Sequence, residues 1–368
     1  MGSKKILVDA REFSHKRTGI ERFIEGFVDA LAESEVTDQV ILACFSRDFI
    51  PFKLTDKKNV KTKNIPTAFI QSEKALSDCS RRNINLFISP YPKLPFFGTF
   101  CPSINTIHDV LDLTHPAYKK RTRVLFDTFR LKSALKKADL TWYDSVSSKQ
   151  ATEALIGFAG KKPKVRHPGI NEKFNYIDPE NENSILQKYG LKGGYILVIG
   201  NGLPHKNLGV LLELSEKLTR QPVFIGVTQE YEGYWQSRYP NASCIWIRQV
   251  DDNDLPTLIR SAFCLAQPST AEGYGYPPLE AMACGIPAVV SNIPVLVETT
   301  GGHSLTADPY RPETWREAFQ TLENEKIYRA QVIRGLRWTE SLKGRKGWTR
   351  HLSDIAVLLG RKKVKRNG

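Results

Sequence analysis

Short apolar runs alternate with longer amphipathic stretches along almost the whole chain, the pattern of parallel α/β units. In the first half, KILVD (Lys5–Asp9), VILAC (Val40–Cys44), NLFIS (Asn85–Ser89), INTIH (Ile104–His108) and LTWY (Leu140–Tyr143) predict strands. IERFIEGFVDALAE (Ile20–Glu33) and RVLFDTFRLKSALKKA (Arg123–Ala138) predict helices among them. The pattern breaks at HPGINEKFNYIDPENEN (His167–Asn183), whose Pro, Gly and Asn predict a linker. A second series follows: YILVIG (Tyr195–Gly200), PVFIGV (Pro222–Val227), CIWIRQV (Cys244–Val250), FCLAQ (Phe263–Gln267) and PAVVS (Pro287–Ser291). The expectation is an α/β protein of two doubly wound parallel-sheet domains, 1–175 and 182–345. The segment 346–368 is expected to hold a closing helix, GWTRHLSDIAVLLG (Gly347–Gly360), and a basic tail. Open sheets bind ligands beyond the C-terminal ends of their strands, so a cleft between the domains is the expected site.

Composition narrows the class. Hydrophobic residues make up 41% of the chain and charged residues 25%, which suits a folded globular protein. No apolar run approaches the ~18 residues of a membrane span. The opening MGSKKILVDA has too short an apolar patch for a signal peptide, so the expected location is cytoplasmic. None of the six cysteines forms a Cys-x-x-Cys pair, and buried reduced thiols are expected.

The net charge is +14, unevenly placed. Residues 1–180 carry 30 Lys+Arg against 21 Asp+Glu, and the tail RKKVKR (Arg361–Arg366) supplies the excess of the second half. Lys119, Lys120, Arg121, Arg123, Arg130, Lys132, Lys136 and Lys137 crowd one helical stretch, with Phe126 and Phe129 interleaved. That pattern fits an anionic membrane surface, a solvated basic helix or nucleic acid. No recognisable nucleic-acid fold motif accompanies it, so nucleic acid is not the expected partner.

The densest chemistry lies in PSTAEGYGYPPLEAMACGIPAVVSN (Pro268–Asn292). A loop follows the strand FCLAQ, and Pro277 and Pro278 open a helix closed by Gly285 and Pro287. Gly273 and Gly275 let backbone approach a ligand, and the helix start offers unpaired N–H groups to phosphate. Glu272, at the mouth of the loop, and Glu280, in the first turn, can each accept two hydrogen bonds from a vicinal diol. Taken singly, Glu272 is also compatible with a turn cap and Glu280 with the helix dipole.

A second loop, YILVIGNGLPHKNL (Tyr195–Leu208), places Lys206 near a helix start, where it can neutralise a diphosphate. A dinucleotide fingerprint is excluded there because His205 stands where the third glycine belongs. In the first half, Gly19 and Arg22 open a helix after the first strand, with Arg22 equally suited to phosphate or to the helix surface. His108-Asp109 ends a strand, where the histidine can bond a sugar hydroxyl, move a proton, or form a structural His–Asp pair. Ser147 and Ser148 read as helix caps, and VDDNDL (Val250–Leu255) as a cap with Asp251 at the N-cap rather than a metal site.

The block EGYGYPPLEAMACGIPAVVSN resembles the Glu-x7-Glu signature of retaining, family 4 glycosyltransferases of the two-Rossmann (GT-B) type. The Gly19-Ile20-x-Arg22 loop, the His108-Asp109 strand end, VRHPGIN (Val165–Asn171) and the closing tryptophan helix are similar to that family too. The resemblance implies that Glu272 contacts the donor sugar, Glu280 the nucleotide ribose, and backbone around Gly273, Tyr274 and Gly275 the sugar or phosphate. It places Gly19 and Lys206 at donor phosphate, and His108 near the transferred sugar. One departure is Asn201, which stands where the family has a phosphate-binding arginine. The resemblance also implies that the closing helix crosses back to the first domain.

Together these imply a retaining, metal-independent hexosyltransferase with no cofactor beyond its nucleotide-diphosphate sugar. Pro204-His205-Lys206-Asn207 and Gly19-Ile20-x-Arg22 look like bacterial mannosyltransferases of the family, which favours GDP-mannose over a UDP-sugar. The expected acceptor is a glycan or lipid-linked glycan of bacterial polysaccharide or lipopolysaccharide synthesis, met at the inner face of the cytoplasmic membrane. A sugar-nucleotide epimerase or phosphorylase on the same fold is the alternative enzyme, and a basic nucleic-acid-binding protein the alternative outside enzymology.

Overall fold

The computed structural model describes residues 3–14, 18–81, 83–114, 121–177 and 181–364, the side chains of Arg121 and of residues 361–364 excepted. Lys119, Lys120, His115 and the end of the basic tail lie outside the described residues. The chain divides into two compact units, residues 1–169 with 344–368, and residues 170–343.

The first unit is built on a seven-stranded parallel sheet in the order β3-β2-β1-β4-β5-β6-β7. Its strands are β1 (Lys5–Asp9), β2 (Gln39–Cys44), β3 (Val60–Asn64), β4 (Leu86–Ser89), β5 (Ser103–Ile107), β6 (Leu140–Tyr143) and β7 (Pro163–Val165). Near-continuous apolar strands such as LFIS and LTWY are buried on both faces, as a helix-covered parallel sheet requires. Alternation along β1 serves two cores. Ile6 and Val8 pack with Phe23, Phe27 and Trp142, whereas Leu7 packs with Phe87, Ala134 and Ala138 on the other face.

The second unit carries a six-stranded parallel sheet, β10-β9-β8-β11-β12-β13, the doubly wound order. Its strands are β8 (Ile196–Ile199), β9 (Pro222–Ile225), β10 (Ile245–Ile247), β11 (Cys264–Gln267), β12 (Ala288–Ser291) and β13 (Leu305–Ala307). The two α/β units confirm the expected fold class. The division falls between Gly169 and Ile170, inside the expected linker. Ile170 and Phe174 are buried in a core of the second unit, which draws that stretch into its fold.

The closing helix, Thr349–Val364, packs on the first unit, where Trp348, Leu352 and Ile355 join the core around Phe23 and Phe27. Trp348 lies so close to Gly169 that a Cβ there would meet its Nε1 at 2.5 Å, so glycine is required. Asp354 accepts from the Trp142 indole at 3.0 Å and from Arg166 Nε at 2.8 Å, and pairs with Lys164.

Three helix starts differ from the sequence reading. Ser145, not Ser147 or Ser148, caps the helix Val146–Ile156, its hydroxyl accepting from the Ser148 N–H at 3.0 Å. The helix after VDDNDL begins at Leu255, and Asp251 instead accepts from the Asn253 N–H. The helix of the Glu-x7-Glu block begins at Tyr276, so Glu280 is its fifth residue, one residue further in than a start at Pro277 gives and just past the first turn.

Candidate active site

In the second unit, β11 ends at Gln267 and the chain enters the loop Pro268–Gly275. Glu272 turns back toward the strand end, and three neighbours hold its carboxylate. Lys206 Nζ reaches Oε1 at 2.7 Å and Oε2 at 2.9 Å, Gln267 Nε2 donates to Oε1 at 2.6 Å, and Ser269 Oγ donates to Oε1 at 2.7 Å. Gln267 also donates to Ser269 Oγ at 2.9 Å, which directs the serine proton at the carboxylate. Burial alone would push the Glu272 carboxyl up. The Lys206 charge and hydrogen bond, the Ser269 hydroxyl and nearby His205 outweigh it and hold the carboxyl below the usual range. Glu272 is therefore an ionised, oriented acceptor.

Lys206 comes from the loop after β8, at the end of a single 3-10 turn, Pro204–Lys206. That turn is stitched to the Glu272 loop. The Thr270 N–H donates to His205 O at 2.8 Å, and Asn207 donates from its amide to Pro268 O at 3.0 Å and Pro309 O at 2.6 Å. Asn207 holds a left-handed backbone (φ 53°), a conformation asparagine tolerates better than most residues. Asn201, in the same loop, uses Oδ1 to accept from the Leu203 N–H at 3.3 Å. It supplies no cation where the family has one.

Gly275 precedes the helix Tyr276–Ala283 with φ +90°, and a Cβ there would meet Leu296 Cδ2 at 2.6 Å. Both the backbone and the neighbour demand glycine. Gly273 and Tyr274 are buried, the Tyr274 ring packing edge-on against Tyr276 at 5.1 Å. Glu280 is buried within the helix. The structure thus brings Lys206 and Glu272 into direct contact and places Gly273, Tyr274, Gly275 and Glu280 on the continuation of the same loop and helix.

In the first unit, Gly19 is the first residue of the helix Gly19–Ala32, with open space where a Cβ would stand. Thr18 and Glu21 close a capping box there, a Thr-x-x-Glu signal that the sequence carries in plain form. His108 follows β5. Its Nδ1 lies 2.6 Å from Asp144 Oδ2 and its Nε2 3.0 Å from Pro90 O. A carbonyl only accepts, so Nε2 carries hydrogen, and the Nδ1 contact with Asp144 must hold a second proton. Burial would lower the His108 pKa, but the Asp144 charge and hydrogen bond and the Pro90 carbonyl raise it overall. Asp109, its sequence neighbour, instead caps the short helix Leu111–Thr114 by accepting from the Leu111 N–H.

Gln267, Ser269 and Asp144 are the site residues that sequence reasoning missed. Gln267 and Ser269 flank Pro268 at the strand end, where polar side chains in a buried run are a readable signal. Asp144 stands 36 residues from His108, and only the pairing of β5 with β6 brings the two strand ends together.

Residues 182–337 match the family model described as glycosyl transferases group 1. That stretch of the second unit resembles the group 1 glycosyltransferases, and the chain has the GT-B fold. It is 28% identical over 360 residues to the O-antigen chain mannosyltransferase B of Escherichia coli, covering 90% of this chain and 94% of that protein. Two solved structures share the fold of this chain. HepE of Anabaena in complex with UDP-glucose has a TM-score of 0.72 at 16% identity, covering 98% of this chain and 99% of that one. The sucrose-phosphate synthase of Thermosynechococcus elongatus has a TM-score of 0.74 at 16% identity, covering 98% of each chain.

Proposed function

We propose that this protein is a glycosyltransferase that moves mannose, with retention, from GDP-mannose to a glycan or lipid-linked glycan acceptor in bacterial surface polysaccharide synthesis. The observation that carries the reading is the Lys206–Glu272 clamp at the end of β11. It offers one cation suited to a departing diphosphate and one ionised carboxylate suited to sugar hydroxyls. The likeness over nearly full length to an O-antigen chain mannosyltransferase supports the sugar and the kind of acceptor.

In this reading, an incoming diphosphate competes with Glu272 for the Lys206 ammonium. As the bond from the anomeric carbon to the diphosphate lengthens, negative charge grows on the leaving oxygen and Lys206 stabilises it. The anomeric carbon becomes oxocarbenium-like, and the acceptor hydroxyl attacks from the face the diphosphate leaves, its proton passing to the departing diphosphate oxygen. Glu272 orients donor hydroxyls, Glu280 takes the ribose diol, and backbone about Gly273–Gly275 takes phosphate or sugar. His108, with one ring nitrogen on Asp144 and the other on the Pro90 carbonyl, takes no part in this reading. No metal enters the reading, and activity is expected to persist in EDTA.

The deciding experiment follows nucleoside-diphosphate release from GDP-mannose and from UDP-sugars, with and without a mannose-terminated acceptor, and reads the new linkage by NMR. Release from GDP-mannose that requires acceptor, with an α-linked product, is expected. Release that ignores acceptor, or interconversion of the free nucleotide sugar, would replace the transferase reading with a phosphorylase or epimerase.

A further inference from the structure

Soluble proteins rarely expose contiguous apolar patches of large size without a use for them. The first unit exposes Phe69, Phe96, Phe97, Leu125, Phe126 and Phe129, each between 43 and 74% accessible. They come from three separate segments: the start of the helix Phe69–Cys79, the loop after β4, and the helix Arg121–Lys137.

A buried ion pair ties these segments together. Arg130 donates to Glu73 Oε2 at 2.8 Å and to Leu94 O at 2.9 Å, and Glu73 accepts the Phe96 N–H at 2.6 Å. The same guanidinium lies 5.7 Å from the Phe69 ring centre and 6.0 Å from that of Phe126, and those two rings meet edge-on at 6.1 Å. Phe96 and Phe97 meet at 5.6 Å. The patch is therefore held in shape from beneath.

Its charge names the occupant. On the helix Arg121–Lys137 the buried face runs through Arg130, Leu131, Ala134 and Leu135. Leu125, Phe129, Lys132 and Lys136 recur at intervals of three and four and share the exposed stripe. Among the described residues neither lysine forms an ion pair. Apolar rings beside free ammonium groups, on the more basic half of the chain, fit an interface that is apolar in depth and anionic at its surface.

We infer that this face of the first unit docks on an anionic lipid bilayer, with the phenylalanines entering the headgroup–acyl boundary and Lys132 and Lys136 meeting lipid phosphates. The inference deepens the proposed function and rests on it for its purpose, because a lipid-linked glycan presents its sugar at a membrane surface. Neither the donor loop nor Lys206 takes part.

Vesicle co-sedimentation of the full chain tests it without donor or acceptor. Binding is expected to vesicles of phosphatidylcholine mixed with phosphatidylglycerol, to weaken with salt, and to be slight with phosphatidylcholine alone. Lys132→Glu and Lys136→Glu should each weaken it about fivefold or more, and the pair Phe97→Ser with Phe126→Ser about tenfold, with unchanged thermal melting. A Phe97→Trp variant, which keeps the patch apolar, should shift its emission to the blue on the mixed vesicles. Equal binding to both vesicles, full binding by the variants, or an unshifted tryptophan overturns the inference. Lipid-free dimerisation abolished by the same variants would overturn it too and assign the face to a second copy. A chain that docks yet transfers no sugar would remove the proposed activity alone, and one that transfers sugar to a water-soluble acceptor without docking would remove this inference alone.

Discussion

The Lys206 ammonium spans both carboxylate oxygens of Glu272, at 2.7 and 2.9 Å, so two groups expected to serve different parts of a donor hold each other. Breaking the clamp from either side leaves a largely buried charge without its counter-ion, and the consequences differ by side.

Lys206→Met should lower kcat by about a hundredfold or more, the scale of removing one positioned electrostatic group. It should also change the pH profile. The Glu272 carboxyl is held below the usual range, so its ionised form prevails above that depressed value and is lost as pH falls through it. Without Lys206, burial dominates and the carboxyl rises. The acid limb of kcat/KM should move to higher pH in Lys206→Met, measured on purified protein with saturating acceptor.

Gln267 and Ser269 aim the Glu272 carboxylate. Ser269→Ala removes a hydroxyl that donates to the carboxylate at 2.7 Å, and Gln267→Ala removes an amide at 2.6 Å. Each should cost about 1–3 kcal/mol of stability through the polar partners left unmet. Each should also raise the acid limb of kcat/KM, which a purely structural lesion would not move. A Gln267→Glu variant, with a second carboxylate against Glu272, should push that limb further still.

Gly275→Ala should lower the melting temperature, because a side chain at φ +90° is strained and its Cβ would lie 2.6 Å from Leu296 Cδ2. The expected loss is about 1–3 kcal/mol, with donor KM raised by the displaced loop. Thermal denaturation with and without GDP-mannose separates the two effects.

His351, on the closing helix, is fully buried among Trp142, Trp348, Phe23 and Phe27, and neither ring nitrogen has a hydrogen-bond partner among the described residues. Burial, then the Arg166 charge, pulls its pKa down to about 3. The unfolded chain takes up this proton near pH 6.5 and the folded chain does not, so stability falls as pH drops below 6.5 and levels out near 3. At pH 5 the loss amounts to about 2 kcal/mol. His351→Leu should abolish that part of the acid destabilisation while leaving the melting point near pH 8 little changed, as read from thermal melts across pH.

Much of the architecture was legible because buried parallel strands write themselves as continuous apolar runs. LTWY and KILVD were placed to the residue. The three missed strands, VKTKN, PKV and LTA, all lie at sheet edges or near them, where one flank is unpaired and the apolar signal fades. At the site, the Glu272 loop and Lys206 were readable because glycines, prolines and charges cluster there. The clamp between them was not, since residues 66 apart meet only through the adjacency of β8 and β11. The Asp144–His108 pair was hidden for the same reason, and proximity in sequence pointed to Asp109 instead.

Trp348, Leu352 and Ile355 belong to the same core as Ile6 and Phe23, yet residues 170–343 are synthesised between them. During translation the amino-terminal layer must wait, with its hydrophobic socket unfilled, until the last stretch of the chain leaves the ribosome. The middle stretch can settle beforehand, its two ends already joined where the Ile170 N–H bonds Leu342 O. The portion made first is thus the portion finished last, and truncation just short of Gly344 would leave residues 170–343 a complete fold and the first unit an open one.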